Sequence, residues 1–184
     1  MHIRNDIDCS IFHPNPSATA SRSDLIEILW LKCFFNNRYY YIAVCYHPPR
    51  PKYKDSQFVQ VLTNDIDYIN GICDDACIIV AGDFNQLDTT FLQCDHGLVQ
   101  MVNVPTHCGH IIDKIFLSRP DLYERSPDVF QSALKTKHKA IMLGSDDSGN
   151  LPTCKQRTKI KLYDLRQPHI DCLRHSSAPT HGVH

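Results

Sequence analysis

The chain has 184 residues, of which 42% are hydrophobic and 21% charged, and its formal net charge at pH 7 is −1. This composition excludes a disordered or collagen-like chain, and the length suffices for one globular domain with a hydrophobic core. No run approaches the roughly 18 consecutive apolar residues that a membrane span requires, and the N-terminus lacks the layout of a secretory signal. We therefore expect an intracellular protein without a membrane partner, and the composition leaves nuclear or cytoplasmic location open.

Charged residues are distributed unevenly along the chain, and the cysteines are scattered. Residues 1–134 hold 10 Lys and Arg against 16 Asp and Glu, whereas residues 135–184 hold 9 against 4. The basic C-terminal stretch is compatible with a phosphate-bearing partner, although a solvated linker has the same composition. The nine cysteines are an odd number without framework spacing, which favours reduced thiols.

Taken in chain order, the apolar pattern predicts a β-hairpin followed by a helix. Residues 25–33 and 39–46 are rich in apolar, aromatic and β-branched residues, and Asn36-Asn37 forms a turn between them. From Ser56 to Ile69 apolar residues recur at helical spacing, and Gly71 is expected to end this helix. Ile78–Ala81 is a short, wholly apolar run, which is typical of a central strand covered on both faces.

The second half of the chain predicts shorter elements. Strands are expected at Leu98–Val104, Ile111–Leu117 and Lys139–Leu143, and the proline-containing segment Arg119–Gln131 is expected to be a loop. Strands interleaved with a helix and long loops indicate an α/β or α+β fold class. We expect one domain over residues 1–145 and a polar tail over residues 146–184.

The residues Gly82-Asp83-Phe84-Asn85 follow the predicted central strand directly. A carboxylate and a carboxamide two residues apart point the same way from an extended segment, so Asp83 and Asn85 can address one phosphate or one metal-bound water together. Gly82 permits a close approach of backbone at this point. The same residues also suit an ordinary Asx turn, and the motif alone does not decide between the two interpretations.

Three further polar residues stand at or beside predicted strands. Asp113 falls within an apolar strand, where a carboxylate is costly unless it is paired, and this favours a functional role. His138 precedes the last strand in a basic segment, and a solvated histidine is the alternative there. Tyr46 brings an aromatic hydroxyl to the end of the second hairpin strand.

Together these motifs resemble the endonuclease domain of non-LTR retrotransposons, a member of the endonuclease/exonuclease/phosphatase superfamily. The resemblance lies in the ordered series Tyr46-x-Pro48-Pro49, Gly82-Asp83-Phe84-Asn85, Pro105-Thr106-His107, Ile112-Asp113-Lys114-Ile115-Phe116 and Thr136-Lys137-His138. It implies a DNase I-like four-layer fold, in which two mixed sheets form a sandwich flanked by helices. It also implies a DNA substrate and fusion to a reverse transcriptase, because Lys161–Arg166 resembles the linker that joins the two domains.

The resemblance implies Mg²⁺-dependent or Mn²⁺-dependent hydrolysis of a phosphodiester, with a role for each motif residue. Asp83 holds or activates the attacking water and is a possible metal ligand, and Asn85 positions the water with the phosphate. Tyr46 hydrogen-bonds the phosphate, and His138 supports the developing negative charge. Asp113 belongs to the network that orients His138. Positioning and charge neutralisation are the main requirements of phosphoryl transfer.

Two departures from the family pattern predict weak or absent catalysis. By the resemblance, the strands that carry an Asn and the metal-binding Glu should precede this chain, so we expect exposed sheet surface, and Glu27 does not lie in the motif of that ligand. Lys137 stands where the family has an Asp beside the histidine, so we expect Lys137→Asp to raise any activity. The alternative function is a non-catalytic retroelement remnant that keeps the fold and at most binds nucleic acid or a partner.

A third interpretation is a zinc module built from the cysteines and histidines of the central region. Its candidate ligands are Cys73, Cys77, Cys94, His96, His107, Cys108 and His110. Zinc sites usually show paired spacings such as C-x-x-C; here Cys73 and Cys77 are spaced as C-x-x-x-C, and the rest of the set has no matching partner pair. Core cysteines are the favoured interpretation.

Overall fold

Two sheets and one long helix make up the part of the chain that the structure describes. The computed structural model describes residues 7–14, 25–123, 126–134 and 136–144. In chain order the elements are β1 (Asp8–Phe12), β2 (Glu27–Phe35), β3 (Arg38–Tyr46), α1 (Asp55–Ile72), β4 (Cys77–Asp83), α2 (Thr90–Cys94), β5 (Val99–Gln100), β6 (Asp113–Leu117), a 3₁₀ turn (Pro120–Leu122), β7 (Asp128–Gln131) and β8 (Lys139–Met142). Within these residues, no helix is long and apolar enough to cross a membrane.

The larger sheet has six strands in the order β1-β2-β3-β4-β6-β5, and β7 pairs with β8 in a separate two-stranded sheet. β3 and β4 are parallel, because α1 carries the chain back along the sheet between them. The remaining neighbours are antiparallel. This mixed sheet with few helices agrees with the predicted fold class.

The predicted hairpin is present as β2 and β3. Asn36 and Asn37 have positive φ angles of 48° and 58°, as a two-residue type I′ turn requires, and asparagine tolerates this conformation better than most residues. The register pairs Phe35 with Arg38 at the turn and Glu27 with Tyr46 at the far end. The turn therefore fixes the position of Tyr46 at the end of β3.

Helix α1 covers one face of the larger sheet through an apolar stripe. Its fully buried members recur at the spacing of one helix face: Phe58, Leu62, Ile66 and Ile69. They share a core cluster with fully or almost fully buried sheet residues, among them Trp30, Ala43, Val80 and Phe116. Trp30 Nε1 donates a 2.8 Å hydrogen bond to Asp65 Oδ2, which satisfies buried polar atoms and fixes α1 to β2.

The opposite face of the sheet is less covered. The register aligns Leu29, Val44, Ala81 and Ile115 in one row across four strands. Leu29 is 42% exposed, Val44 41% and Tyr46, in the adjoining row, 40%. These exposed apolar side chains lie beside the row that contains Tyr46.

Several element boundaries differ from the sequence prediction. α1 continues past Gly71 to Ile72, so Gly71 lies in its last turn and does not end it. The strand predicted at Leu98–Val104 is reduced to Val99–Gln100, and the Val102 carbonyl accepts a hydrogen bond from the Gln100 side chain. The strand predicted at Ile111–Leu117 begins at Asp113, whereas the last strand begins at Lys139 as predicted and ends one residue early, at Met142.

The segment predicted as a loop contains a 3₁₀ turn and the strand β7. Pro120 begins the turn and Pro127 immediately precedes the strand, and both positions tolerate the missing N–H of proline. The prolines therefore mark the starts of elements here. Neither β1 nor α2 was predicted, because a largely exposed edge strand and a five-residue helix carry little periodic signal. The predicted tail, residues 146–184, lies outside the described residues.

Cys9 and Cys33 form a disulfide between β1 and β2, so the prediction of reduced thiols is wrong for this pair. They are directly opposed in the register of the two strands, and opposed residues of an antiparallel pair have Cβ atoms about 4.5–5.5 Å apart. That proximity arises from the pairing of strands and does not show in sequence spacing. Cys73, Cys77, Cys94 and Cys108 are free thiols.

Candidate active site

Polar side chains from four adjacent strands form one row at an end of the larger sheet. The register pairs Glu27 with Tyr46, Tyr46 with Asp83, and Asp83 with Asp113. Neighbouring strands lie about 4.8 Å apart, so Tyr46 and Asp113 flank Asp83 on its two sides. By strand alternation these side chains lie on the sheet face opposite α1.

Gly82 allows β3 and β4 to approach closely beside this row. A Cβ built on Gly82 would overlap the backbone carbonyl of Cys45 on the neighbouring strand. Any side chain at position 82 would therefore push the two strands apart and separate Tyr46 from Asp83. The close approach predicted for Gly82 is confirmed.

Asp83 and Asn85 form a tight turn directly after β4. The Asn85 N–H donates a 3.0 Å hydrogen bond to Asp83 Oδ1, and Asn85 has a left-handed φ of 44°, which asparagine tolerates. The Asn85 Nδ2 donates a 2.8 Å bond to the carbonyl of His47. The Asx turn is thus present, and it uses only one of the two carboxylate oxygens of Asp83. The separate bond to His47 holds the Asn85 side-chain amide at the end of β3.

His138 reaches the row from the segment before β8 and contacts Asp113. Its Nδ1 lies 3.0 Å from Asp113 Oδ2 and 3.2 Å from Oδ1, and the two side chains are 35% and 20% exposed. Asp113 is therefore the acidic partner of His138 in this structure. Lys137 is exposed and does not leave His138 without an acidic partner, so the reason for expecting Lys137→Asp to raise activity no longer holds.

Thr106 connects the strand that carries Asp113 to the segment that carries His138, although sequence reasoning assigned Thr106 no role. Its fully buried hydroxyl accepts the backbone N–H groups of Asp113 at 3.1 Å and Ile112 at 3.2 Å. Its carbonyl accepts the N–H of Lys139 at 2.8 Å, next to His138. The sequence signal was its place in the Pro105-Thr106-His107 motif, but spacing alone does not reveal which backbone groups a hydroxyl will meet.

His47 is a second residue whose contribution was not predicted. It is 3% exposed, and its Nε2 lies 3.2 Å from Asp55 Oδ1 at the start of α1. Its N–H donates a 2.8 Å bond to the Asp83 carbonyl, in addition to the bond that its own carbonyl accepts from Asn85. The His47 backbone thus fastens the turn after β4 to the end of β3, and its buried imidazole contacts the start of α1.

Asp83, Asp113 and His138 form a cluster whose potential ligand atoms all lie within 4.8 Å of one another. Burial raises the pKa of Asp83 above its ordinary value, and the nearby Asp113 acts in the same direction, against the Asn85 N–H and the imidazoles of His138 and His107. The donor set suits a divalent cation. Neither Glu27 nor any of the seven candidate zinc ligands belongs to a metal-ligand cluster in the described part of the chain.

The raised pKa of Asp83 predicts a cost in stability that asparagine removes. A carboxyl whose folded pKa is raised stabilises the fold only where it is protonated, and that contribution is lost as pH rises from the ordinary value of 3.8 through the folded pKa. We therefore expect Asp83→Asn to raise the melting temperature at pH 7, with the gain vanishing below about pH 4. Thermal unfolding at several pH values measures this, and an equal gain at pH 3 and pH 7 would contradict it.

Comparison with solved structures supports the fold. No protein-family model and no curated protein matches the chain. The endonuclease domain of TRAS1, a telomere-specific non-LTR retrotransposon, matches with a TM-score of 0.55 and 15% identity, over 78% of this chain and 70% of that one. Two further structures match with a TM-score of 0.46: cytolethal distending toxin from Actinobacillus actinomycetemcomitans (15% identity, 76% of this chain and 59% of that one) and humanized D. rerio TDP2 (14% identity, 75% and 65%).

The likeness to the TRAS1 domain concerns the fold, since 15% identity does not transfer an activity. It covers most of the chain, and the row of Tyr46, Asp83 and Asp113 lies in the sheet described above. The chain therefore has the DNase I-like fold that the order of its motifs predicts.

Proposed function

We propose that the chain is a metal-dependent phosphodiester hydrolase domain that nicks DNA, of the kind found in non-LTR retrotransposons. The observation that carries the proposal is the convergence of Asp83, Asp113 and His138 within 4.8 Å from three separate parts of the chain. The fold shared with a retrotransposon endonuclease domain supports the same function.

Each side chain has a role that follows from its chemistry and position. Asp83, whose pKa burial raises, accepts a proton from the attacking water, and a raised pKa makes a carboxylate a better proton acceptor near neutral pH. Asn85, whose amide nitrogen is fixed on His47, offers its oxygen to the same water. The Tyr46 hydroxyl donates to a phosphate oxygen, and His138, oriented by Asp113, donates a hydrogen bond to the charge that develops on the phosphate.

The cluster also fits a divalent cation. Mg²⁺ is commonly held by one or two carboxylates, with water and substrate phosphate completing its shell, and Asp83 and Asp113 supply two. We assign the ion to these carboxylates and not to His138 Nδ1, which is engaged by Asp113. When bound, Mg²⁺ or Mn²⁺ offsets the negative charge that builds up on the phosphate.

Exposed lysines beside the cluster suit a nucleic-acid substrate. Lys137 and Lys139 are both exposed and flank His138 in sequence. Lysine side chains that neutralise backbone phosphates give binding that weakens as salt rises. In this proposal Lys137 contacts a phosphate of the DNA backbone and contributes to binding without entering the chemistry.

Conversion of supercoiled plasmid to the nicked form, in Mg²⁺, Mn²⁺ or EDTA, tests the proposal. We expect metal-dependent nicking that falls by about 10²–10⁴-fold in Asp83→Ala and in His138→Ala. Asp74→Ala and His110→Ala are matched controls, because both side chains are exposed and neither belongs to the cluster. Nicking that persists unchanged in the two cluster variants would contradict the proposal, because the activity would not depend on the cluster.

A different outcome would favour the alternative function. If the folded protein nicks no plasmid in either metal but retards a DNA duplex in a gel at low salt, the chain is a non-catalytic remnant that binds nucleic acid. We also propose that residues 146–184 link this domain to a reverse transcriptase, which rests on the sequence resemblance alone.

A further inference from the structure

His107 lies against the candidate site but takes no part in the roles assigned above. The centroids of the His107 and His138 rings are 4.4 Å apart and the ring planes are inclined by 33°. His107 is half-buried. One face of the His138 imidazole is therefore covered by a second aromatic ring.

The backbone that carries His107 is fixed independently of its side chain. His107 forms β-bridges with His110 and with His138, and the N–H of His110 donates a 2.8 Å bond to the His107 carbonyl. The buried Thr106 beside it bonds to Asp113 and Lys139, as described above. Side-chain substitutions at position 107 are therefore expected to leave this turn in place.

The contact between the rings matters because one hydrogen bond does not fix an imidazole. The torsion that rotates a histidine ring about its Cβ–Cγ bond has broad, roughly two-fold minima. Asp113 contacts His138 Nδ1, but the His138 side chain is 35% exposed. The ring therefore has room to rotate about its Cβ–Cγ bond. A ring packed on its face restricts this rotation.

We propose that His107 is a positioning residue whose ring packs on His138 and, together with Asp113, holds the imidazole in one orientation towards the substrate phosphate. The inference rests on the proposed function for its effect on rate. The contact is one of ring packing, so a planar apolar ring at position 107 serves as well as an imidazole.

Kinetics of three variants test this role. We expect His107→Ala to lower kcat for plasmid nicking by about 10–100-fold with KM for DNA changed by less than about 2-fold, since a misplaced catalytic group lowers the rate of the chemical step. We expect His107→Phe, which keeps a ring, to stay within about 3-fold of wild type. His110→Ala is the matched control, because His110 is exposed and belongs to the same turn.

A second measurement needs no activity. In protein labelled with ¹⁵N-histidine, the Nδ1–H of His138 that bonds to Asp113 gives an imidazole proton signal, which His138→Gln assigns by removing it. We expect this proton to exchange with water at least about 10-fold faster in His107→Ala than in wild type, His107→Phe or His110→Ala. Melting temperatures of all variants establish that each is folded.

Two results would overturn the inference. If His107→Ala matches wild type in both kcat and proton exchange, the ring contact has no positioning effect. If His107→Phe is as slow as His107→Ala, His107 acts through a ring nitrogen and not through packing. If wild type itself nicks no DNA, the proposed function fails, and the proton-exchange comparison alone decides whether His107 holds the imidazole.

Discussion

Replacing Asp113 with asparagine is expected to lower the rate of plasmid nicking by about 10²–10⁴-fold without unfolding the protein. Asp113 Oδ2 lies 3.0 Å from His138 Nδ1, and an amide cannot stabilise the imidazolium form or impose the same tautomer. The backbone N–H of Asp113 keeps its bond to Thr106 in the variant, so the strand stays in position. Initial rates over a range of Mg²⁺ concentrations measure the effect.

The Mg²⁺ series distinguishes the two contributions that Asp113 makes. Loss of a metal ligand alone is overcome by excess Mg²⁺, whereas loss of the His138 partner is not. Lys137→Asp is the control for charge beside His138: we expect it to raise KM for DNA, because a proposed phosphate contact is lost, and to change kcat at saturating DNA by less than about 3-fold. The assignment of Asp113 as the histidine's partner is wrong if Asp113→Asn keeps full activity, or if Lys137→Asp restores activity to the Asp113→Asn variant.

Replacing Gly82 with alanine is expected to lower the free energy of unfolding by about 3 kcal/mol, at the upper end of the cost of overpacking a core. The added Cβ would overlap the backbone carbonyl of Cys45, and backbone cannot move aside as a flexible side chain can. β3 and β4 must separate, which breaks ladder hydrogen bonds in the centre of the sheet. Urea unfolding followed by circular dichroism measures the change.

Gly71→Ala is the control for the Gly82 substitution, and we expect the opposite sign. A Cβ on Gly71 meets no atom within 4 Å, and Gly71 lies in the last turn of α1. Alanine there is expected to raise the free energy of unfolding by about 0.5–1 kcal/mol, because it reduces the entropy of the unfolded chain. Equal destabilisation by both variants would show that the close approach at Gly82 is not the cause.

The elements with strong local signals were predicted from sequence. The hairpin follows from two apolar strands and an Asn36-Asn37 turn that tolerates positive φ, and α1 follows from the helical spacing of its buried residues. Both signals come from residues close together in the chain. β1 has no such signal because its pairing with β2 is a tertiary event, and Cys9–Cys33 was missed for the same reason.

The candidate site was partly predictable. Asp83 and Asn85 stand out because they follow a buried strand, and the motif order led to Asp113, His138 and Tyr46, although their chemical roles remain predictions. Thr106 and His47 were not assigned because their contributions are hydrogen bonds to backbone groups distant in sequence. His138 pairs with Asp113 and not with position 137. This pairing depends on Thr106, which bonds to the backbone N–H groups of both Asp113 in β6 and Lys139 in β8.

The alignment of Tyr46, Asp83 and Asp113 in one row makes the site sensitive to strand length. Side chains alternate between the faces of a sheet, so removal of one codon within β4 would shift Asp83 to the face covered by α1 and bury an unpaired carboxylate. The same deletion at Pro49 or Arg50, which are exposed and lie between His47 and α1, would leave the row intact. A one-residue deletion in β3, β4 or β6 is therefore expected to abolish the site, whereas substitutions of exposed residues elsewhere leave the register of the row unchanged.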